Sequence, residues 1–484
     1  MATESTVQHR ELFIGGQWRA AADNGRMDVE DPATGTVIAS VASASLGDVD
    51  AAVNAAREAI AGEWGKLSGR ERSRILLRVV DLMRERSEDL AQAESLDVGK
   101  PVSLARAIDV PGAIGQIEYY ATLAPHLDGA VRDTEAPTFA YTRREPRGVV
   151  AAISPFNFPL ILAASKIGPA LAAGNTIVHK PAPQTPLSAL LLAEILTDAG
   201  VPAGVFNLIT GGGPEIGDAL VRHPGVNMVA FTGSTTVGRI VAATAGECLK
   251  PVMVELGGNG ANLVFADADL DKVVQTIVSA FVYNTGQFCM AGTRLLVERP
   301  VYDRVVDAVA GAVAAVPVGR PSDPGSVVGP LVSRAQLERV ERMVDDAIAS
   351  GGRAVVGGSR IELDGGYYYA PTVIAGLSND ALAIQEEVFG PVLTVQPFDT
   401  EEEAIALANS TAYGLAAGVQ TRDIARAHRV TAQLEAGLLW VNTWSALDPA
   451  VPFGGVKNSG WGRESGPEAL ESYTRVKSVT IDLS

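Results

Sequence analysis

At 484 residues the chain is too long for one ordinary core and implies two or three domains at roughly 150 residues each. It is 47% hydrophobic and 20% charged, with 39 Lys+Arg against 56 Asp+Glu and a formal charge of −17. This excludes a lone binding module or a disordered chain, and the sign of the charge excludes a nucleic-acid partner held through its phosphates. Two cysteines, Cys248 and Cys289, cannot build a disulfide framework and fit a reducing compartment. Met1 to Arg10 carries Glu4 and lacks the apolar run of a signal peptide. The longest uncharged stretch, residues 148–165, is broken by Pro155, Asn157 and Pro159, so a cytoplasmic location with no membrane partner is expected.

After a short polar β-rich start (Glu11 to Thr36), periodicity predicts helices over Asp48–Trp64, Arg70–Asp97 and Leu104–Leu123, with Gly99 and Pro101 stopping the second. Val131–Arg147 has the polar, β-branched mix of a protruding hairpin, as does the closing Tyr473–Leu483; the two suggest an assembly surface. From Arg147 onward short apolar runs alternate with Ala/Leu-rich helical segments, the rhythm of a parallel α/β sheet. Five strands are predicted: Gly148–Ser154, Thr176–Lys180, Val205–Thr210, Asn227–Phe231 and Pro251–Leu256. Thr185 suits the N-cap of the helix that Gly200 ends, with Pro186 at N1. A second α/β unit is expected from about Asn259 to Gly455, with helices at Asp271–Val282, Val301–Val316 and Arg334–Ser350 and a strand at Arg294–Glu298.

In open α/β sheets ligands bind beyond the carboxyl ends of the strands. Here those ends carry an amide (Asn157, in Ser154-Pro-Phe-Asn-Phe-Pro159), an ammonium (Lys180), two glycine turns (Gly211 to Gly213 and Gly233) and a carboxylate (Glu255). Glycine turns let backbone N–H groups approach a phosphate, although neither turn has the G-x-G-x-x-G spacing or a P-loop Lys-Ser/Thr. Lys180 is either solvated or within reach of a ribose. Glu255, ending an apolar strand, is either paired with a cation or raised by burial toward a useful base. Cys289, in a glycine-flanked loop from Gly286 to Gly292, is either an inert core thiol or a nucleophile.

Six blocks, in order and at similar separations, resemble the aldehyde dehydrogenase superfamily from about Phe13 to Val479. They are Asn157-Phe-Pro159, Phe231-Thr-Gly-Ser234, Glu255-Leu-Gly-Gly258, Gly286-Gln-Phe-Cys289, Glu387-Val-Phe-Gly-Pro391 and Pro452-Phe-Gly-Gly-Val-Lys457. The resemblance implies an α/β fold with two doubly wound domains and a small β oligomerisation sheet. Residues 1–130 and 148–256 would bind NAD(P), 257–455 would form the catalytic domain, and 131–147 with 456–484 would bridge subunits of a homodimer or homotetramer. It further implies Cys289 as nucleophile, Asn157 and the Cys289 N–H as oxyanion donors, and Glu255 as the base that activates water against a thioester. For the cofactor it implies Phe156, Lys180, Pro181, Ala182, Pro183, Gly233, Ser234, Leu256, Glu387 and Phe389, with Lys166 close to the site and no metal.

Many NAD-preferring relatives carry a glutamate three residues after the ribose lysine; here that position is Pro183, so use of NADP beside NAD is expected. Phe158, Leu162, Phe288 and Met290 would line the approach to Cys289, and Ser165 stands where many relatives have a bulky aromatic, an enlarged apolar wall suited to a ring. Asn259, replacing a commoner lysine, resembles the benzaldehyde and vanillin dehydrogenase branch, so an aromatic aldehyde is expected as substrate. The alternative, succinate semialdehyde, calls for an arginine such as Arg294 or Arg463 at its distal carboxylate. A CoA-acylating enzyme has no need of Glu255, a silent relative would have lost Cys289 or Glu255, and none of the five histidines (His9, His126, His179, His223, His428) lies in a recognisable cysteine-hydrolase signature.

Overall fold

Two parallel β-sheets, built from strands apolar on both faces and sandwiched between helices, organise the chain. In the computed structural model the described residues are 10–484; the reading of Met1 to Arg10 as lacking a signal peptide falls almost wholly outside them. The first sheet has eight strands, in the order Gln17–Arg19, Leu12–Ile14, Phe206–Leu208, Thr176–Lys180, Val149–Ile153, Met228–Thr232, Val252–Glu255 and Gly460–Trp461. The five inner strands are parallel, and the strand order reverses direction between Val149–Ile153 and Met228–Thr232. That switch point opens a crevice at the carboxyl ends, where the crossover connections leave to opposite faces. All five predicted strands form, to within two residues at each end.

The second sheet has seven strands: Arg353–Val356, Thr372–Ala375, Val392–Phe398, Arg294–Glu298, Ala261–Val264, Ala416–Gln420 and Leu438–Val441, antiparallel only at the first. The helices expected over this half appear at Leu270–Val282, Tyr302–Ala314 and Arg334–Ala349. The two protruding ribbons pair with each other: Thr138–Pro146 runs antiparallel to Thr474–Asp482 over nine residue pairs, with Val131–Arg132 as a third strand. Because side chains alternate, one face of this small sheet collects Val131, Phe139, Tyr141, Val479 and Ile481. Part of the closing segment, expected wholly as a bridge, joins the first sheet: Gly460–Trp461 adds an antiparallel edge opposite Val254 and Glu255.

Three helical expectations are corrected. The span Arg70–Asp97 is two helices, Gly69–Glu85 and Ser87–Val98, broken at Arg86 (φ −103°, ψ 24°), whose guanidinium turns aside to Glu194 at 2.7 Å. Leu104–Leu123 contains a π-helical turn, Ala105–Asp109, before the regular helix Val110–Leu123. Thr185 does not cap the following helix, which begins at Leu187; its hydroxyl oxygen has no partner, and the Leu187 N–H is taken instead by Asp97 Oδ2 at 2.9 Å. One turn earlier, Glu94 Oε1 accepts from the N–H of Leu160 at 2.7 Å, in the first turn of helix Pro159–Ala172. Two buried helix starts are therefore satisfied by carboxylates from one distant helix, which local sequence cannot reveal. Asp97→Ala should lower the unfolding free energy by about 1–2 kcal/mol, read as an earlier urea midpoint, whereas an unchanged midpoint would show that the N–H finds another acceptor.

Candidate functional site

The switch-point crevice receives the Ser154–Phe158 turn from one side and the glycine turn at Gly233 from the other. In the first turn Ser154 is tied down through its N–H to the Lys180 carbonyl (3.2 Å) and through its hydroxyl to His179 Nε2 (2.9 Å). His179 is buried, and burial, followed by the charges of Lys166 and Lys180, pushes its imidazole down to about 3, so it stays neutral. It is occupied by Ser154, which removes it as the partner a cysteine hydrolase would need. Asn157 is 3% exposed; its Nδ2 donates to the Gln287 carbonyl at 3.0 Å, two residues before Cys289, while its main-chain carbonyl accepts from Asn284 Nδ2 at 2.8 Å.

The Cys289 loop enters through three successive left-handed residues, Asn284, Thr285 and Gly286 (φ 47°, 57° and 71°). Gly286 has no alternative, because a Cβ there would overlap the Gly390 carbonyl. Gln287 pins the loop with its Oε1 on the Val332 N–H at 3.0 Å. From the other sheet, the segment after Glu255 reaches the same place: a Cβ on Gly258 would overlap the Cys289 carbonyl, and one on Gly257 would overlap the Glu387 carboxylate. Cys289 remains partly accessible. Burial pushes its thiol well up, and the carboxylates of Glu387, Glu255 and Glu464 push it further.

Glu255 is 2% exposed and neither of its oxygens has a hydrogen-bond partner. Burial, then Glu464, holds its carboxyl well above the usual range; Lys166, Arg463 and the nearby Gly455 N–H, which lies outside hydrogen-bonding geometry, oppose the shift. Lys166, fully buried, is spent on Glu464 and on Thr232 Oγ1 (2.6 Å). Glu464 was not singled out from sequence, since it stands in a polar Arg-Glu-Ser-Gly stretch without periodicity or motif. Ser165, expected to enlarge the pocket wall, is 3% exposed and donates to Glu464 Oε2 at 2.8 Å, so the small residue houses that carboxylate instead of widening the approach. Phe288, expected in the lining, is 1% exposed and backs the wall through Tyr283, at 5.6 Å between ring centroids.

Cys289 packs against an apolar surface, a cluster that includes Phe158, Met290 and Trp444, and Ile161, Leu162, Tyr283 and Phe453 pack against the same cluster. Phe158 and Tyr283 are stacked at 5.7 Å. Asn259 does not face this surface; its amide donates to the carbonyls of Ile384 (2.8 Å) and Glu386 (3.2 Å) and fixes the segment that carries Glu387. Arg294 is fully committed inside the second sheet, to the carbonyls of Asn259, Leu407 and Ala408. Arg463 holds the Gly455 and Gly462 carbonyls.

On the cofactor side, Lys180 is 7% exposed, and its ammonium has no hydrogen bond or ion pair among the described residues. Ala182 and Pro183 flank it at the rim, half-buried, after the buried Pro181. Ser234 caps helix Thr235–Glu247, accepting from Val237 N–H at 3.3 Å, and leaves that N-terminus exposed next to Gly233. Leu256 packs over Gly238. Glu387 accepts from the Gly258 N–H at 3.2 Å, and burial pushes its carboxyl up to about 8. Phe156 and Phe389 meet edge to face at 5.7 Å across the crevice. A buried unpartnered cation, an open helix N-terminus and a polar acceptor along one strand-end crevice fit a dinucleotide.

Comparison with known proteins agrees with this geometry. Residues 18–479 match the family model described as the aldehyde dehydrogenase family. A putative aldehyde dehydrogenase from Burkholderia cenocepacia superposes with a TM-score of 0.97 at 43% identity, over 98% of each chain. The NAD+ complex of an aldehyde dehydrogenase from Bacillus cereus gives 0.97 at 41% identity, covering 99% of this chain and 97% of that one. A mutant of P. syringae AldA, an indole-3-acetaldehyde dehydrogenase in complex with NAD+ and IAA, gives 0.96 at 41% identity, covering 98% and 97%. The chain belongs to the aldehyde dehydrogenase family.

Proposed function

We propose that this protein oxidises an aromatic aldehyde to the carboxylic acid with NAD or NADP, through a thiohemiacetal and a thioester on Cys289. The observation that carries the reading is Glu255, a buried carboxyl with two unpartnered oxygens beside the cysteine loop. Such a group is costly unless its acceptor capacity is used in the reaction. The partly accessible Cys289 thiol gives up its proton to solvent and Sγ adds to the aldehyde carbon, and the oxygen that becomes negative is met by the second N–H of the Asn157 amide and the Cys289 main-chain N–H. Glu387, Leu256, Phe156 and Phe389 would hold the nicotinamide end of NAD(P), which would supply the hydride acceptor. Ionised Glu255 then takes a proton from the water that attacks the thioester, releasing the acid and the thiol. A CoA-acylating enzyme would have no use for that base.

For the dinucleotide, Lys180 would donate to the adenosine ribose, with Pro181, Ala182 and Pro183 forming the rim around it. Gly233, Ser234 and the helix N-terminus would hold the pyrophosphate, and Glu387 would accept from the nicotinamide ribose between Leu256, Phe156 and Phe389. Pro183 offers no carboxylate against a 2′-phosphate, which supports NADP beside NAD. The aromatic surface of Phe158, Tyr283, Trp444 and Phe453 supports a ring substrate, and the commitment of Arg294 to three carbonyls removes one cation from the alternative for succinate semialdehyde. The indole-3-acetaldehyde named for the P. syringae relative is also aromatic. Subunits would pair through the apolar face around Phe139 and Ile481 into a homodimer or homotetramer, in the cytoplasm; no helix among the described residues is long and apolar enough to cross a membrane.

Three outcomes test this reading. Followed at 340 nm, benzaldehyde or vanillin should turn over with a higher kcat/KM than succinate semialdehyde, and Cys289→Ala should fall to background; a clear win for the semialdehyde would overturn the substrate while leaving the chemistry. NAD and NADP should differ by less than about tenfold, or roughly 1.4 kcal/mol, and a preference for NAD above about a hundredfold would contradict the role given to Pro183. Because the Glu255 carboxyl is raised and acts only when ionised, thioester hydrolysis should increase as pH rises through that raised value. Glu255→Gln should cost about 10²–10⁴-fold and flatten that limb, whereas an unaltered pH profile in the variant would assign the base elsewhere.

A further inference from the structure

Beneath the Asn157 turn lies a cluster of buried charges that the chemistry above does not use, reached from the apolar cluster at Cys289 by the Tyr283 hydroxyl, 3.5 Å from Asp109 Oδ2. Glu94, Lys100 and Asp109 are each at most 1% exposed. The Lys100 ammonium donates to three acceptors: Glu94 Oε2 at 3.3 Å, Asp109 Oδ1, and the main-chain carbonyl of Asn157 at 3.0 Å. Its three protons are thus all used. The same ammonium lies 4.4 Å from the centre of the Phe158 ring. Glu94 spends its other oxygen on the Leu160 N–H (2.7 Å) and the Ser188 hydroxyl (2.7 Å).

Glu94 comes from the regular helix Ser87–Val98, and the other two members arrive by local irregularities. Lys100 follows Gly99, a left-handed helix end (φ 83°) wedged between Pro32 and Pro330. Asp109 closes the π-helical turn Ala105–Asp109, whose extra residue re-aims the side chain inward. The turn they grip is also tied at Ser154, and the Asn157 carbonyl is shared with Asn284 Nδ2 at 2.8 Å, but Lys100 supplies the only charged donor to that carbonyl among the described residues. Pro155 and Pro159 remove two N–H groups, so the Asn157 carbonyl and the Leu160 N–H are main-chain handles on either side of Phe158. The cluster grips both, one with a cation and one with an anion, through charge-assisted bonds that are stronger and more directional than neutral ones. Burial raises the Asp109 carboxyl to about 7 against the pull of Lys100, and the charge of Glu94 adds to the rise. No member of the cluster is bonded to Cys289.

We propose that Glu94, Lys100 and Asp109 are positioning residues for the reaction, fixing the Asn157 main chain so that its side-chain amide is held toward the oxyanion formed at Cys289. This rests on the reading of Asn157 as an oxyanion donor. A misplacement of about 1 Å at such a donor costs on the order of 10²-fold, comparable with losing the donor.

The test is a double-mutant cycle in the full-length enzyme, with Lys100→Met, Asn157→Ala and the pair, reading kcat, KM for NAD, and the rate of Cys289 alkylation by iodoacetamide, which passes through no oxyanion. Lys100→Met should lower kcat by about 10–100-fold while leaving KM for NAD and the alkylation rate within about threefold, and on the Asn157→Ala background it should cost less than about threefold. An equal loss on both backgrounds, or a parallel loss in alkylation and NAD binding, would reduce the cluster to general stability and overturn the proposal. If Lys100→Met does not fold, Asp109→Asn, which keeps the shape and removes one charge, carries the same cycle with the same criteria. Asn157→Ala retaining full kcat would instead overturn the oxyanion reading itself, a result visible before any cluster variant is made.

Discussion

The chemistry of this chain depends on bringing the carboxyl ends of two parallel sheets face to face, and the contact that achieves it is backbone against backbone. Gly258, just beyond the strand that carries Glu255, lies so close to the carbonyl of Cys289 that no side chain fits between them. Gly257 repeats the approach against Glu387, and Gly286 against Gly390. Gly257 and Gly258 therefore set the distance between the strand of Glu255 and the segments of Glu387 and Cys289, while Gly286 fixes the cysteine loop within its own half of the molecule. A Cβ at Gly258 or Gly286 would have to move main chain, whereas one at Gly257 would displace the end of the Glu387 side chain.

That closeness removes water from a set of charges, and the consequences follow from desolvation. Lys166 and Glu464 pair and are satisfied, while Glu255 beside them is left with no partner and is driven toward its neutral form. The same burial drives the Cys289 thiol toward its protonated form and keeps His179 neutral. Burial thus acts on Glu255 and Cys289 in the same sense, disfavouring the charged form of each.

Much of the frame was legible in the sequence because it is local. A continuous apolar run such as Thr176–Lys180, buried on both faces, needs no distant partner to be recognised as a strand, and it forms at those limits. The six blocks around Asn157, Gly233, Glu255, Cys289, Glu387 and Phe453 were legible as a resemblance, and the family assignment agrees with it. What stayed hidden was set by tertiary partners. The break at Arg86 answers to Glu194, the cap of the helix at Leu187 comes from Asp97, and the pull on the Asn157 carbonyl comes from Lys100, 57 positions earlier. Ser165 and Asn259 show the same limit from the other side. Each was noticed as a change from relatives, Ser165 as an enlarged pocket wall and Asn259 as a mark of one substrate branch, yet one is bound to Glu464 and the other to the segment before Glu387.

The central claim is that carbon–sulfur chemistry occurs at Cys289 with Glu255 releasing the product. Its most direct test is to mix Glu255→Gln with benzaldehyde and NAD, quench in acid within one turnover, and map the mass of the Cys289 peptide. The account predicts a benzoyl increment on that peptide which accumulates in the variant, decays quickly in the parent enzyme and is absent from Cys289→Ala. Turnover without any acylated Cys289 peptide, or an acyl group on another residue, would contradict it.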